Sequence, residues 1–504
     1  MLSTWSLIPD PLAWLASFLV FLLKPAAAVL VGQMMASRPR LPRGAPRLLK
    51  GTPILGSVDF FRSRSDFLLK GRHRDPSRQF SFYYGPYPIV VVSGSSARSF
   101  FYNARSLDFI EGFSALYSAG PSIEHLLPGD LRTLFFTSFK HLMGKDRLAA
   151  KLHHLTTDTD VALGAMGIDT SAPVEPFKLM LHLIYQLTHR ILGSNDVADD
   201  PKLLADTLSA FDRFDDSSAI EVMFPHVPWP SKVRKMLAGA KLHRTFSKIM
   251  SDRQRTGRAE ADAMQTLIDQ GHPDTVVSAF IIGTFVPGLT NSAFNAAWIL
   301  AYLTANPEWY ARIRAEVDAA VAKHRCSQAE SAPKVLSRLS MDQWESEFPM
   351  INVALRETIR LILQGASMRK NVSGKDIQIA DTGKIIPKDA YALYAIEDIH
   401  MDDQVYTSPR EWDPERYLAS REEDKKRPHG YLGWGSGLHP CLGMRFAKLE
   451  ITISTAFFFA YYDFTRCDKN GNEPQDALPP VDRSGIGEKR PVRDIFLKCT
   501  RRNE

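Results

Sequence analysis

The hydrophobic pattern of the chain begins with a segment unlike the rest. Residues 11–31 read PLAWLASFLVFLLKPAAAVLV, with Lys24 as their single charge, and a membrane-spanning helix needs roughly 20 mostly apolar residues. Basic residues follow the run and only Asp10 precedes it, which places the basic side in the cytosol. A cleaved signal peptide is the alternative, but its positive start and small-residue end are lacking. The pattern predicts an anchor over residues 1–37, with Lys24 and Pro25 also allowing a monotopic or re-entrant one.

A spacer and a long body follow this segment. Residues 38–57 combine basic residues with Pro42, Pro46 and Pro53, and prolines stiffen a linker by fixing φ. We interpret the spacer as a basic, proline-rich hinge, the alternative being a plain linker. Residues 58–504 form the predicted catalytic domain.

Inside the body, the pattern favours helices in the middle and strands towards both ends. FSFYYGPYPIVVV at 80–92 predicts two short strands around Gly85 and Pro86, and most of 131–360 has helical character. The longest apolar run, 274–304, could be mistaken for a second membrane span, but polar residues, proline and glycine interrupt it at 287–292. A buried helix with a broken middle is the better interpretation. After residue 370, DIQIA, DTGKIIP and AYALYAI predict strands. The fold class is therefore mainly α with a smaller β portion.

Composition narrows the function classes. The net charge of +6 is spread along the chain, so it does not indicate a nucleic-acid-binding protein. The four cysteines lie far apart, which excludes a disulfide scaffold and a zinc site and suggests a reducing compartment. They are Cys326, Cys441, Cys467 and Cys499.

The densest chemical signal is WGSGLHPCLG, ahead of a helix-like run. Gly435 and Gly437 permit backbone conformations closed to other residues or a close approach to a flat ligand. Cys441 falls at the start of the helix, where unpaired N–H groups and the helix dipole favour a thiolate. Gly443 leaves room for something large over the first turn. These features suit an axial iron ligand, although a lone cysteine is usually an incidental buried residue.

This stretch resembles the haem-binding loop of the cytochrome P-450 superfamily. The residues that carry the resemblance are Trp434, Gly435, Gly437, His439, Cys441 and Gly443. The resemblance implies haem b, iron protoporphyrin IX, bound through the Cys441 thiolate. Trp434 replaces the usual Phe, and His439 replaces the usual Arg that contacts a haem propionate. Since His carries charge only when protonated, that contact is expected to be weaker.

A second motif supports the resemblance. Glu357 and Arg360 are three residues apart and share one face of a helix, although such a pair is most often a surface ion pair. In the family, a Glu-x-x-Arg pair and a later Arg, here Arg416, brace the core behind the haem. The anchor and hinge are similar to those of microsomal members. That similarity implies an endoplasmic reticulum membrane protein with a cytosolic catalytic domain.

The central helix departs from the family pattern. Where the family has an acid and a threonine that help deliver protons to dioxygen, this chain has Thr290 and Asn291. Asn291 can donate and accept hydrogen bonds and can therefore hold water or a substrate oxygen. The alternative is that its side chain only hydrogen-bonds the backbone groups that the interrupted helix leaves unpaired. With Trp434 and His439, these substitutions are similar to the branch of sterol 7α-hydroxylases and prostacyclin synthase.

That branch leaves two chemistries open. The favoured one is a monooxygenase that inserts one atom of dioxygen into a lipophilic terpenoid, steroid or other polycyclic substrate, with electrons from NADPH-cytochrome P-450 reductase. The alternative is a peroxide isomerase or dehydratase that needs no reductase. A non-catalytic haem carrier or gas sensor is a third possibility. Fungal specialised metabolism is the expected setting.

Further expectations concern the partners of the haem and of the protein. Arg369 is predicted to bind a haem propionate or an acidic substrate group, and membrane lipid is expected at the anchor. The family's early-helix Trp-x-x-x-Arg has no clear counterpart, and its region offers Lys140, His141, Lys145 and Arg147. Basic residues for reductase docking, or else a merely solvated face, are Lys425, Lys426, Arg427, Arg445 and Lys448.

Overall fold

The computed structural model describes residues 38–52, 55–116, 131–166, 172–215, 221, 229–363, 365–482 and 490–502. The predicted anchor over 1–37 lies outside these residues. All four cysteines are described, and none forms a disulfide. Cys467 and Cys499 are buried, whereas Cys326 and Cys441 are exposed.

Helices make up most of the described structure, as the sequence predicts. Up to residue 215 they are α1 (Asp59–Arg62), α2 (Arg64–His73), α3 (Ser95–Asn103), α4 (Phe109–Leu116), α5 (Leu131–Leu142), α6 (Lys145–Ala165), α7 (Pro176–Leu192), α8 (Asn195–Asp199) and α9 (Pro201–Asp215). From residue 230 onwards they are α10 (Pro230–Thr256), α11 (Ala263–Asp269), α12 (Asp274–Thr304), α13 (Pro307–His324), α14 (Ala332–Ser337), α15 (Met341–Ser346), α16 (Pro349–Ile362), α17 (Glu397–His400) and α18 (Met444–Tyr461). Short 3₁₀ helices cover Pro414–Tyr417 and Glu423–Lys425.

The strands form one five-stranded sheet and three small two-stranded ones. They are β1 (Phe80–Tyr84), β2 (Tyr87–Val92), β3 (Leu107–Asp108), β4 (Ala366–Asn371), β5 (Ile377–Gln378), β6 (Ile385–Ile386), β7 (Tyr391–Ala395), β8 (Gly435–Ser436), β9 (His439–Pro440), β10 (Tyr462–Cys467) and β11 (Phe496–Arg501). The larger sheet has the order β1-β2-β7-β4-β3, in which β2 and β7 are parallel. It therefore joins the first quarter of the chain to the last third.

Helix α12 is the centre of the helical core. It packs against α7, α10, α16 and α18, and most of its side chains are buried. On length and composition alone it is the one described helix that could cross a membrane, and 56% of its most apolar window is buried inside the protein. This burial agrees with the interpretation of the run as a core helix.

The predicted break in α12 takes a milder form than expected. Pro287 lies inside the helix, yet the helix is continuous from Asp274 to Thr304. A proline removes one backbone N–H donor and crowds the preceding turn. Packing against several helices keeps the backbone helical through Pro287. The middle of α12 therefore lacks one backbone hydrogen bond, but the helix does not end there.

Candidate active site

The WGSGLHPCLG segment folds into a tight hairpin that leads into α18. Strands β8 and β9 pair at Ser436 and His439, and the Cys441 N–H donates to the Trp434 carbonyl at 2.8 Å. Gly435 has φ +69°, and a Cβ there would lie 2.4 Å from the His439 carbonyl oxygen. Glycine is therefore required at this position for both backbone conformation and space.

The Cys441 thiol lies at the end of this hairpin, three residues before α18 begins at Met444. Its residue is exposed, yet burial raises the pKa of the thiol, while the backbone N–H groups of Gly443 and Met444 act to lower it. Protein groups therefore lie around the Cys441 sulfur without covering it. The two N–H groups are placed to stabilise a thiolate, which is the form that binds a metal.

Helix α5 places two aromatic rings beside the cysteine loop. Phe135 and Phe139 stack with centroids 6.0 Å apart. A Cβ on Gly283 of α12 would contact the Phe135 ring at 3.4 Å, and a Cβ on Gly443 would contact the Phe139 ring at 3.5 Å. The pair of rings therefore bridges the central helix and the cysteine loop.

Arg369 lies on β4 as a buried cation. It is 2% exposed, its Nη1 donates to the Phe101 carbonyl at 2.5 Å, and its guanidinium lies over the Phe101 and Tyr102 rings. Among the described residues no carboxylate lies within ion-pair distance of Arg369, and burial lowers its pKa to about 10. Buried charges in proteins are normally paired, so this site suits an acidic ligand group.

His439 lies close to the same cationic region. Its ring stacks on Phe109 of α4 at 5.4 Å. Burial lowers the pKa of His439, and the charges of Arg369 and Arg132 lower it further, against an opposing effect of Asp108. His439, Arg369 and Arg132 thus bring three nitrogen-bearing groups to one side of the cysteine loop.

Arg132, in the first turn of α5, is the residue that the sequence reasoning missed. It donates to the Asp108 carboxylate at 2.9 Å, and half of its side chain is exposed. Its basic character was visible in the sequence, but only the packing of α5 places it near His439. It is the described basic residue of α5 that acts on the charge of this cluster.

The sequence offers four residues as counterparts of the family's early-helix Arg, and their described contacts lie away from His439. Lys145 pairs with Asp342 and Glu345. His141 Nε2 is 2.8 Å from an Arg147 guanidinium nitrogen, and Lys140 is exposed. None of them affects the pKa of His439.

The middle of α12 presents a polar edge. Asn291 is exposed and donates through Nδ2 to the Pro287 carbonyl at 2.6 Å, and Thr290 is half-buried. Asn295 Nδ2 donates in turn to the Asn291 carbonyl at 2.7 Å. The Asn291 amide therefore satisfies backbone around Pro287, and it remains accessible on an otherwise buried helix.

A second missed residue, Glu450 on α18, lies behind this edge. Glu450 is 2% exposed, its carboxyl group hydrogen-bonds to Ser292, and burial raises its pKa well above the usual range. Its Oε2 atom and the Oδ1 atom of Asn295 have no hydrogen-bond partner among the described residues. Burial therefore favours the protonated form of Glu450, which lies beside the residue that follows Asn291.

The residues of the predicted brace come together. Arg360 donates to both Glu357 carboxylate oxygens at 2.8 and 2.7 Å, and Arg416 Nε donates to Glu357 at 3.1 Å. All three are fully buried. Tyr417 adds a hydroxyl donor to the same carboxylate at 3.2 Å. This is the bidentate geometry that arginine supports, at a site closed to solvent.

The set of residues fits a haem. Cys441 supplies one sulfur with two N–H donors, Gly435 keeps the hairpin tight, and Arg369 is a buried cation in need of an acidic partner. His439 and Arg132 provide further donors on the same side. A thiolate can bind the iron of a porphyrin, and cations near it suit the two propionate carboxylates.

Comparison with known proteins agrees with this arrangement. Residues 131–489 match the family model "Cytochrome P450". The chain is 29% identical over 92% of its length to cytochrome P450 monooxygenase AacuE of Aspergillus aculeatus, covering 95% of that protein. It is 28% identical over 92% of its length to cytochrome P450 monooxygenase nsrP of Aspergillus novofumigatus, covering 91%.

More distant matches extend the likeness beyond fungi. Sterol 14-demethylase of Arabidopsis thaliana is 24% identical over 83% of this chain and 86% of its own length. The solved structure of retinoic acid bound cyanobacterial CYP120A1 superposes with a TM-score of 0.70 at 20% identity, covering 92% of this chain and all of that one. The latter similarity shows the shared fold.

Proposed function

The chain belongs to the cytochrome P-450 family of haem-thiolate oxygenases, and from that premise we propose that it is a membrane-anchored monooxygenase of lipophilic substrates. The observation that carries the proposal is the Cys441 thiol, held on a glycine hairpin with the Gly443 and Met444 N–H groups directed at it. Cys441 is the proposed axial ligand of haem b.

When bound, the haem supplies the dioxygen chemistry, and the protein supplies binding, orientation and charge. Cys441 would hold the iron through its thiolate, and Arg369, His439 and Arg132 would hold the two propionates. The Lys448 ammonium lies 5.8 Å from the centroid of the Trp434 ring.

The test of the ligand uses the reduced protein exposed to carbon monoxide. Wild type is expected to show the shift of its main absorption band that a thiolate ligand produces. C441S should lose that shift and its activity. C326S is the matched control, because Cys326 is also an exposed free thiol, and it should keep both. A thiolate-type band in C441S would contradict the assignment.

Proton handling is assigned to the middle of α12. Asn291 is proposed to hold a water or a substrate oxygen, and Thr290 offers a second hydroxyl. Glu450 lies next to Ser292, and burial raises the pKa of its carboxyl group, so an acid lies beside the middle of α12, which itself has none. A proton donor at this position favours the monooxygenase, because that reaction consumes protons and a peroxide rearrangement does not.

The alternative function, a peroxide isomerase or dehydratase of the prostacyclin-synthase type, makes opposite demands. Product that contains oxygen from labelled dioxygen and forms only with NADPH and a reductase would support the monooxygenase. Conversion of a lipid hydroperoxide without reductase would support the alternative. The non-catalytic carrier predicts turnover in neither assay.

The substrate is proposed to be polycyclic or terpenoid-like. Phe109 is 39% exposed, and it lies with Phe113 on α4, beside His439. Phe135 of α5 contacts Phe280 of α12, so aromatic side chains lie beside both the cysteine loop and the central helix. One relative is a sterol demethylase by name, and other relatives are fungal monooxygenases, which supports a lipophilic substrate in fungal specialised metabolism.

An N-terminal anchor and a cytosolic catalytic domain at the endoplasmic reticulum remain part of the proposal, as do membrane lipid and the NADPH-dependent reductase.

Of the predicted docking residues, Lys425 pairs with Glu422, Lys426 with Glu423 and Arg445 with Glu345. Arg427 is exposed and has no carboxylate partner among the described residues. R427E is therefore expected to slow reduction by the reductase at low salt, with K70E as a control remote in sequence, and chemically driven reduction should stay unchanged.

A further inference from the structure

The segment that precedes the cysteine hairpin contains an unusual histidine. His429 has φ +52°, a left-handed conformation that costs a side-chain-bearing residue of order 1 kcal/mol or more. Pro428, directly before it, has its carbonyl held by two hydrogen bonds from Arg98 of α3 at 3.2 and 3.0 Å. A strained residue kept in place from both sides points to a role for its side chain.

The His429 ring connects α3 to the hairpin. Asn103 Nδ2 is 3.1 Å from His429 Nε2, and His429 Nδ1 is 2.6 Å from the Ser436 hydroxyl. Because the Asn103 amide also donates to the Ser99 carbonyl, its nitrogen is the donor and His429 Nε2 is the acceptor. The proton of the neutral ring is then on Nδ1, which donates to Ser436 Oγ.

The same end of α3 holds the hairpin directly. The Tyr102 ring stacks on His429 with centroids 5.6 Å apart, and the Tyr102 carbonyl accepts the Leu438 N–H at 3.1 Å. A Cβ on Gly437 would lie 2.3 Å from the Tyr102 carbonyl oxygen. The hairpin therefore lies against α3 without space between the two backbones.

Tyr102 also faces Arg369. The Arg369 guanidinium lies over the rings of Phe101 and Tyr102 and donates to the Phe101 carbonyl. The last turn of α3 thus contacts both the proposed propionate ligand and the hairpin of the proposed iron ligand. A displacement of the hairpin along α3 would change the distance between the two ends of the haem site.

We propose that His429 is a positioning residue that fixes the cysteine hairpin on α3 through its hydrogen bond to Ser436, and thereby sets haem retention and the iron midpoint potential. The proposal rests on the proposed ligand role of Cys441. It assigns no contact between His429 and the haem. Burial, with the nearby charges of Arg98 and Arg369, lowers the pKa of His429, which favours the neutral ring with a single proton that this arrangement needs.

The test compares side-chain removal with backbone effects. H429G removes the ring and relieves the left-handed strain, S436A removes only the hydroxyl, and H429N keeps a polar group near the Nδ1 position in a residue that tolerates positive φ. S367A is the matched control, because it removes the hydroxyl 3.2 Å from the Tyr102 hydroxyl without touching the hairpin. Each holoenzyme is measured for haem transfer to apomyoglobin, iron midpoint potential and amide exchange of Leu438.

H429G and S436A should each release haem about tenfold faster, the factor given by one net hydrogen bond of about 1.4 kcal/mol, and the double variant no faster than either. In both H429G and S436A, amide exchange of Leu438 should accelerate and the iron midpoint potential should shift. H429N should recover most of the haem retention that H429G loses, and S367A should match wild type. Rates within twofold of wild type in H429G and S436A, or additive effects in the double variant, would overturn the proposal. A wild-type protein without the thiolate-type band would instead overturn the proposed function.

Discussion

At the scale of residues, the site is built from groups whose sequence neighbours say little about their role. Cys441 is identifiable because the glycines and proline that shape its hairpin are contiguous with it. Arg132 is not, because its part depends on how α5 lies against the cysteine loop and α4. The Arg132 guanidinium donates a hydrogen bond to the Asp108 carboxylate, and its positive charge lowers the pKa of His439.

Replacement of Arg132 tests this assignment. R132Q should release haem several-fold faster than wild type, because one of the cations near the propionates is lost at a half-exposed position. The measurement is haem transfer to apomyoglobin at low and high salt, and the effect should shrink as salt rises. R147Q is the control, since Arg147 contacts His141 instead. Equal rates in the two variants would show that Arg132 does not hold the haem.

Glu450 makes a second prediction at this scale. Gln is neutral, has nearly the same shape as Glu and can keep a hydrogen bond to Ser292, but it has no acidic proton to give. The E450Q variant should therefore stay folded and still lose a large part of its coupling, with electrons diverted to hydrogen peroxide. Peroxide formed per NADPH consumed is the readout.

The matched control for E450Q is E316Q, which alters Glu316 of α13, a half-buried acid whose pKa is also raised by burial. If E450Q stays as well coupled as E316Q, Glu450 is a packing residue only. If E450Q alone diverts electrons, the acid behind α12 takes part in proton supply.

At the scale of elements, the structure shows end-capping that the sequence does not reveal. Helix α16, which carries Glu357 and Arg360, has no side-chain cap at its own first residue. Instead Glu316 of α13 accepts the Met350 and Ile351 N–H groups at 2.6 and 3.1 Å. Burial outweighs these donors and raises the pKa of Glu316 to about 7.

This raised pKa predicts a pH-dependent stability. The unfolded chain holds the Glu316 carboxyl near its ordinary pKa of 4.5, so between about pH 4.5 and 7 the folded state binds more protons than the unfolded state. The free energy of unfolding should therefore fall as pH rises through this window, by roughly 1–2 kcal/mol after allowance for the partly exposed side chain. Denaturant unfolding of wild type and E316Q at pH 5 and pH 8 measures it.

E316Q has no charge to bury, so its stability should change less between the two pH values. A difference between wild type and E316Q that is the same at pH 5 and pH 8 would contradict the prediction. E415Q serves as the control for a general effect of replacing an acid with an amide, because Glu415 is a partly exposed acid paired with Arg312 and lies on neither α13 nor α16.

How far the sequence predicts the elements depends on where their determinants lie. The existence of α12 follows from its length and apolar character, and the turn between β1 and β2 follows from Gly85 and Pro86. The continuity of α12 through Pro287 does not follow, because contacts with α7 and α18 compensate for the lost backbone bond. The pairing of β2 with β7 is equally hidden, since register between strands 300 residues apart depends on tertiary packing.

At the scale of the whole molecule, the buried ion network around Glu357 ties the helical core to the segment before the cysteine hairpin. Glu357 and Arg360 lie on α16, whereas Arg416 lies in a 3₁₀ helix beyond β7. Arg360 also donates to the His400 and Pro409 carbonyls at 2.6 and 2.7 Å. Removing the carboxylate would leave Arg360 without a carboxylate partner in a site closed to water, whereas Arg416 would keep its ion pair with Glu423 at 3.0 Å.

E357A should therefore destabilise the protein by about 3–5 kcal/mol, the cost of breaking a buried ion pair by removing one partner. Denaturant unfolding of the holoenzyme gives the value. E415A removes a carboxylate of the exposed Glu415–Arg312 pair and should cost about 0–1 kcal/mol. A small loss in E357A would show that water reaches Arg360 and Arg416, contrary to their burial.

The five-stranded sheet has a consequence for a chain that is cut. Cleavage of the chain between α9 and α10 would give one fragment with β1, β2 and β3 and a second fragment with β4 and β7. Neither fragment would contain all strands of the five-stranded sheet. The first piece would hold Arg132 and Tyr102, and the second would hold Arg369 and Cys441. The two pieces should therefore separate on a denaturing gel yet travel together through a sizing column with their red pigment, and co-expressed halves should reconstitute a coloured protein that neither half gives alone.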